Sequence, residues 1–336
     1  MIKVDNIELT SVAASGALNF FGPGKGNGHN WWYHKYLKLI PNFDYSDLSS
    51  WIAKTTTVNP RAGNMEIDEQ TLQPKKIFPD CVVIKFFEGV MLNAVGLSSP
   101  GLEKILKMNE WQKNSKPFGI SIMALGGSPE ERLREIREIA YFIKSRLPFF
   151  RTSIFIEVND SCPNVGHDPC SREEKILERL KTISAILDIP ISVKLNALVS
   201  LETIKAIEQS GFCSWISFAN TIPFSKLPDQ IDWKRFYGTA DKKLSPLAIY
   251  GGGGFSGWPL VEIHCKRIRE FREAGITIPI LGGGGIGCRN MSWLKKEIQA
   301  YYDAGANALQ FGSIFPLRPW LVKPAIKMTN EKFGRR

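Results

Sequence analysis

A chain of 336 residues with 43% hydrophobic and 23% charged side chains has the balance of a folded globular protein, not of a disordered or fibrous one. Its six cysteines (Cys81, Cys162, Cys170, Cys213, Cys265, Cys288) form no Cys-x-x-Cys pair. That argues against an iron–sulfur or zinc site and fits a reducing compartment better than a disulfide framework. The net charge of +10 comes from Lys and Arg spread along helical faces, as in Arg132-Leu133-Arg134, which points to a solvated surface and not to nucleic acid. The opening residues lack a signal-peptide layout, and no apolar run approaches the roughly 20 residues that span a bilayer, so a cytoplasmic protein without a membrane partner is expected.

Residues 2–16 read as a short hairpin leading into a first strand at 11–16. An aromatic, Gly-rich connection follows, with Trp31-Trp32-Tyr33 and Pro41. It is expected to be a surface helix packed on the body of the protein, the other reading being an insertion over a site or a partner. The second strand covers 51–57, residues 64–92 form an irregular or hairpin excursion, and a loop at 93–97 precedes a helix at 101–114. Regular alternation then sets in: strand 118–125 and helix 129–146, strand 152–158 and helix 172–187, strand 191–197 and helix 201–210. Strand 214–219 leads through a long excursion, 222–256, to helix 260–274. Strand 278–282 with helix 290–304, and strand 308–312 with a helix near 320–333, complete the chain. Eight strand–helix units with parallel strands close into a (β/α)8 TIM barrel. We expect a single domain over 1–336 with loop insertions at 21–50 and 222–256; a doubly wound open sheet is the alternative.

The most informative stretch is Ile154-Phe155-Ile156-Glu157-Val158-Asn159-Asp160-Ser161-Cys162-Pro163-Asn164. An apolar, β-branched strand ends abruptly in amides, a hydroxyl and a thiol, with Pro163 blocking continuation of the ladder. Amides donate and accept in fixed directions, which suits a small planar polar ligand. A thiol beside them serves as base or nucleophile if its pKa is lowered, although a lone Cys is more often a small buried hydrophobe. Other unusual residues also stand at strand C-termini, the face where barrels of this type carry their chemistry: Ser15-Gly16, Lys54-Thr55, Lys194, Asn220-Thr221, Gly282 to Gly285 and Gly312-Ser313. Three glycine clusters around the last two strands (Gly251 to Gly257, Gly282 to Gly285, Gly312-Ser313) suggest a phosphate held by backbone N–H groups. With no Walker motif and no Gly-x-Gly-x-x-Gly after a first strand, a mononucleotide cofactor fits better than a dinucleotide.

Taken together, Ala14-Ser15-Gly16, Lys54-Thr55, Pro60-Arg61-Ala62-Gly63-Asn64, Asn93-Ala94-Val95-Gly96-Leu97, Ser161-Cys162-Pro163-Asn164, Lys194, Asn220-Thr221, Gly254-Phe255-Ser256-Gly257, Gly284-Gly285-Ile286 and Gln310-Phe311-Gly312-Ser313 carry a resemblance. Over roughly residues 7–315 the chain resembles the dihydroorotate dehydrogenase family, flavin mononucleotide (FMN) enzymes on a (β/α)8 barrel. The resemblance implies oxidation of dihydroorotate to orotate in pyrimidine biosynthesis. Cys162 would remove the C5 proton while a hydride passes from C6 to flavin N5, with Lys54 and Lys194 completing the catalytic set. Lys54, Asn93, Val95, Gly96, Leu97, Asn159, Asn164, Asn220 and Thr221 would hold the substrate. Ala14, Ser15, Gly16, Lys54, Thr55, Asn159, Lys194, Ala219, Gly257, Gly284, Gly285, Gly312 and Ser313 would hold FMN, and no metal is expected. A cysteine base marks the soluble members. The acceptor would be fumarate, or NAD through an electron-transfer subunit, and a homo-oligomer is expected. Asp160 and Ser98-Ser99-Pro100 depart from the usual residues beside the substrate. A related FMN oxidoreductase acting on another dihydropyrimidine or enoyl ring, a tRNA-modifying flavin reductase and a non-catalytic binding barrel are the alternative readings.

Overall fold

The computed structural model describes residues 1–159, 176–218 and 220–334. Eight parallel strands form a closed barrel: β1 (Ser11–Ala13), β2 (Ser50–Ile52), β3 (Phe118–Ile122), β4 (Ile154–Asn159), β5 (Ile191–Leu195), β6 (Trp215–Phe218), β7 (Ile280–Gly283) and β8 (Ala308–Phe311). Closure is made by β8 against β1, with Gln310 in register with Val12. An open doubly wound sheet would leave those two edges apart, so the expected barrel is the observed one. Several strands are shorter than their apolar runs. Beyond Ile52 the chain keeps only separate bonds to its neighbour, such as the Ala53 N–H to the Gly119 carbonyl at 2.8 Å, as it turns over the rim.

Local rules set the helices. Pro129–Arg146 opens with a capping box between Ser128 and Glu131 and buries Ile136, Ile139, Ala140 and Ile143 at helical spacing. Leu201–Ser210 is capped by Ser200 and stopped by Gly211 in the left-handed conformation.

Period two along β4 separates two environments. Ile154, Ile156 and Val158 join the large core between barrel and helices. Phe155 belongs to the inner core with Val12, Ile52, Trp215, Leu281 and Ala308. Its ring meets that of Trp215 at 4.8 Å, and a Cβ on Gly119 would stand 2.4 Å from it. A hairpin, Ile2–Val4 against Ile7–Leu9, closes this end with Ile2, Ile7 and Leu9. The N-terminal end of the barrel is therefore filled with apolar side chains, and polar positions gather at the opposite end.

Over that opposite end the two excursions pair with each other. Val82–Lys85, Val90–Asn93, Gly254–Gly257 and Ile222–Pro223 form one antiparallel sheet in which Asn93 lies opposite Gly254. The Gly254–Gly257 part of the 251–257 glycine cluster is thus a strand of this sheet. A Cβ on Gly257 would stand 2.7 Å from the Gly89 carbonyl, so only glycine allows this approach. The 21–50 connection departs from a plain surface helix. Its one helix, His34–Leu37, is a single turn. The segment is pinned to the barrel by Trp31 Nε1, which donates to the Gly16 carbonyl at 2.7 Å.

Candidate active site

The strand C-termini and the covering sheet enclose a cleft of about 690 Å³. Its wall contains Ala14, Ser15, Gly16, Lys54, Thr55, Asn93, Val95, Gly96, Leu97, Asn159, Lys194, Asn220, Thr221, Gly284, Gly312 and Ser313, all singled out from sequence. Two further choices, Gly257 and Gly285, are absent from the wall. They lie against each other, since a Cβ on Gly285 would stand 2.3 Å from the Gly257 carbonyl; Ser256 and Gly284 face the cleft instead. Cys162, Asn164 and Ala219 lie outside the described residues.

One hydrogen-bonded chain runs along the floor. Thr55 Oγ1 is its hub, 3.1 Å from Ser15 Oγ, 2.9 Å from Ser121 Oγ, and accepting from Asn159 Nδ2 at 2.9 Å. Asn159 Oδ1 accepts from Asn220 Nδ2 at 3.0 Å, and Asn220 Oδ1 accepts the Thr221 N–H at 3.0 Å. Each amide has one end committed as donor and the other as acceptor, which fixes its orientation.

Two lysines belong to the same face. Lys54, at the end of β2, is 7% exposed. Its Nζ donates to the Ser98 carbonyl and lies 5.1 Å from the centre of the Phe20 ring. Lys194 on β5 is 8% exposed and in register with Asn159. Burying an ammonium is costly unless something there uses its charge. The loop opposite is held by Arg61 Nε on the Gly96 carbonyl at 2.9 Å and Asn64 Nδ2 on the Ala94 carbonyl at 2.7 Å. Leu97 carries a φ of 59°, a left-handed conformation that a Leu adopts only when its surroundings impose it.

In its outer half the cleft is lined by the 21–50 segment, which is the alternative of an insertion over a site and not the plain surface helix. Trp31, Trp32, Tyr33 and Leu37 from the 21–50 segment line it, facing Ile77, Phe78, Ile84 and Met91 from the other excursion. The Trp-Trp-Tyr triplet was the one available signal. Gln310 went unassigned; it lines the cleft with a buried Oε1 that has no hydrogen-bond partner among the described residues.

Burial dominates the nearby titratable groups. It lowers the His34 pKa to about 3, with Lys38 adding to the effect, and pushes the Cys288 thiol up to about 12. Behind the Gly283–Gly284 wall, burial takes the Glu297 carboxyl up to about 7 and His264 down to about 4. Cys288 is thereby kept as a thiol and is no reagent. Among the described residues no group of His, Cys, Asp and Glu is arranged to hold a metal ion, and no helix is long and apolar enough to cross a membrane.

Residues 43–330 match the family model described as dihydroorotate dehydrogenase. The chain is 30% identical over 277 residues to dihydroorotate dehydrogenase A (fumarate) of Lactobacillus delbrueckii subsp. bulgaricus, covering 81% of this chain and 76% of the relative. It is 29% identical over 292 residues to dihydroorotate dehydrogenase B (NAD(+)), catalytic subunit, of Bacillus cereus, covering 85% and 80% respectively. With a closed eight-stranded barrel and a cleft at its C-terminal face that joins polar and charged side chains to an apolar outer wall, the chain belongs to the dihydroorotate dehydrogenase family of oxidoreductases.

Proposed function

We propose that this protein oxidises dihydroorotate to orotate in pyrimidine biosynthesis, with FMN as the bound flavin. The observation that carries the reading is the Ser15–Thr55–Asn159–Asn220–Thr221 chain of oriented hydroxyls and amides beside two buried lysines. The cleft suits such a cofactor on its own terms: the orphaned Gln310 Oε1 awaits an N–H donor, and a Cβ on Gly312 would project beside Ala14 into otherwise open space. FMN, when bound, supplies the acceptor for the hydride that leaves C6 of the substrate.

The chain's own residues supply orientation, charge and a base. Cys162 takes the proton from C5, acting as the base in its thiolate form. Lys194, a buried cation in the cleft wall, would stabilise negative charge on the flavin when it is reduced. Asn93, Asn159, Asn164, Asn220 and Thr221 hold the planar ring, and Val95, Gly96 and Leu97 hold its carboxylate side. Ala14, Ser15, Gly16, Thr55 and Ala219 would bear on the flavin and its ribityl chain, and Gly284, Gly312 and Ser313 would take the phosphate. For the chain acting alone we propose fumarate as acceptor, in a cytoplasmic homo-oligomer; NAD would need an electron-transfer subunit.

Stopped-flow bleaching of the flavin by dihydroorotate tests the proposal. A holoprotein that keeps its yellow colour with dihydroorotate, while dihydrouracil or dihydrothymine bleaches it, would reject the substrate. Reoxidation of the bleached protein by fumarate tests the acceptor.

A further inference from the structure

We propose that Glu297 is a positioning residue for the cofactor's anionic end, holding the glycine loop after β7 from behind and setting by its charge how well that loop accepts a phosphate. This deepens the proposed function and rests on its reading of the Gly284–Ser313 wall as the phosphate site.

Three buried side chains on two helices grip this loop from the side away from the cleft. His264, from Pro259–Glu273, places Nδ1 2.6 Å from the Gly283 carbonyl. Tyr301, from Met291–Ala304, donates its hydroxyl to the Gly283 carbonyl at 2.5 Å and the Gly284 carbonyl at 3.0 Å. One turn earlier on that helix, Glu297 Oε2 accepts the Gly287 N–H at 2.7 Å. The loop has little freedom to shift, because a Cβ on Gly287, at a φ of 71°, would stand 2.4 Å from Ile314 Cδ1.

Glu297 is 4% exposed, and its Oε1 has no hydrogen-bond partner among the described residues. Cys265 faces it from the first helix, Cys288 and Arg289 from the loop, and Tyr301 from its own helix, with Arg318 beyond Cys288. Among the described residues none forms an ion pair with it. Arg289, the cation that acts on it, lies 3.7 Å from the centre of the Trp258 ring and 4.0 Å from that of Trp293. Burial raises the Glu297 pKa to about 7, against the pull of the Gly287 N–H and of Arg289. Near neutrality the carboxyl therefore changes charge beside a loop whose front wall, with Ser313 touching Cys288 at 3.3 Å, faces the cleft. A negative charge there opposes a phosphate; by reciprocity, a bound phosphate favours the protonated carboxyl.

The test is fluorescence titration of the full-length apoprotein with FMN and with riboflavin between pH 6.5 and 8.5, above the phosphate's own second ionisation near pH 6. The dissociation constant for FMN is expected to rise about three- to tenfold across that range in the wild type and to stay flat in Glu297→Gln, with riboflavin flat in both. FMN binding at pH 7.5 should also take up a fraction of a proton, and riboflavin binding none; this measurement on the wild type decides the matter if the variant fails to fold. A preference for FMN with an unchanged pH slope in Glu297→Gln, or with no proton uptake by the wild type, would overturn this inference alone. Equal affinity for FMN and riboflavin would overturn the phosphate reading and this inference with it.

Discussion

Asn220 Nδ2 donates to Asn159 Oδ1 at 3.0 Å, a contact between residues 61 positions apart. β5 lies between the strands that carry them, so the two amides bridge over the strand that bears Lys194. A single amide, Asn159, thus joins Thr55 to Asn220 and ties three strand ends together above the apolar end of the barrel.

Replacing Asn159 by Ala should remove one donor to Thr55 Oγ1 and one acceptor from Asn220 Nδ2 in a buried site. A loss of about 1–3 kcal/mol in urea denaturation of the apoprotein is expected, together with a lower kcat/KM. In a double-mutant cycle with Asn220→Ala, the pair should couple by at least about 0.5 kcal/mol. Simple additivity would mean that the amides act separately.

Cys162→Ala should lower the rate of flavin bleaching by dihydroorotate about 10²- to 10⁴-fold without changing the oxidised flavin spectrum, as expected for loss of a base alone. Retention of the wild-type rate would remove Cys162 from the mechanism.

His34 is caged by Tyr33, Phe43, Tyr45 and Phe315, and among the described residues neither ring nitrogen has a hydrogen-bond partner. Its pKa falls from 6.5 to about 3, chiefly through burial. Between those values the unfolded chain binds the extra proton, so stability present above pH 6.5 is lost as the pH falls toward 3. His34→Phe should recover about 2 kcal/mol at pH 5 relative to its effect at pH 7.5, measured by urea denaturation. An acid limb as steep as that of the wild type would show that His34 does not supply it.

Gly287 and Gly312 make a contrasting pair. A Cβ on Gly287 meets Ile314 at 2.4 Å from a left-handed backbone, whereas one on Gly312 meets only Ala14, at 3.6 Å. Gly287→Ala should lower the melting temperature of the apoprotein, by several degrees for a loss of about 2 kcal/mol. Gly312→Ala should leave the melting temperature nearly unchanged and weaken flavin binding, because its methyl group occupies cleft space. Equal effects of both on cofactor affinity would contradict this division.

Much of the architecture was legible in the amino-acid order because helix and strand periods, caps and breakers are local. The helices at Pro129–Arg146 and Leu201–Ser210 fall where Ser128-Pro129, Ser200 and Gly211 place them. Eight alternating units left little choice but a barrel, and a barrel directs the C-terminal ends of its strands to one face. That is why the sequence alone brings Ser15, Lys54, Asn159, Lys194 and Asn220 to one face. What only the tertiary structure decided are partnerships between distant segments: Val90–Asn93 against Gly254–Gly257, the Trp31–Leu37 wall opposite Ile77 and Phe78, and Glu297 behind Gly287. A strand's alternation tells which side it buries but not which strand it meets. A glycine tells that something comes close, but whether that neighbour is a ligand or another backbone depends on how the whole chain packs.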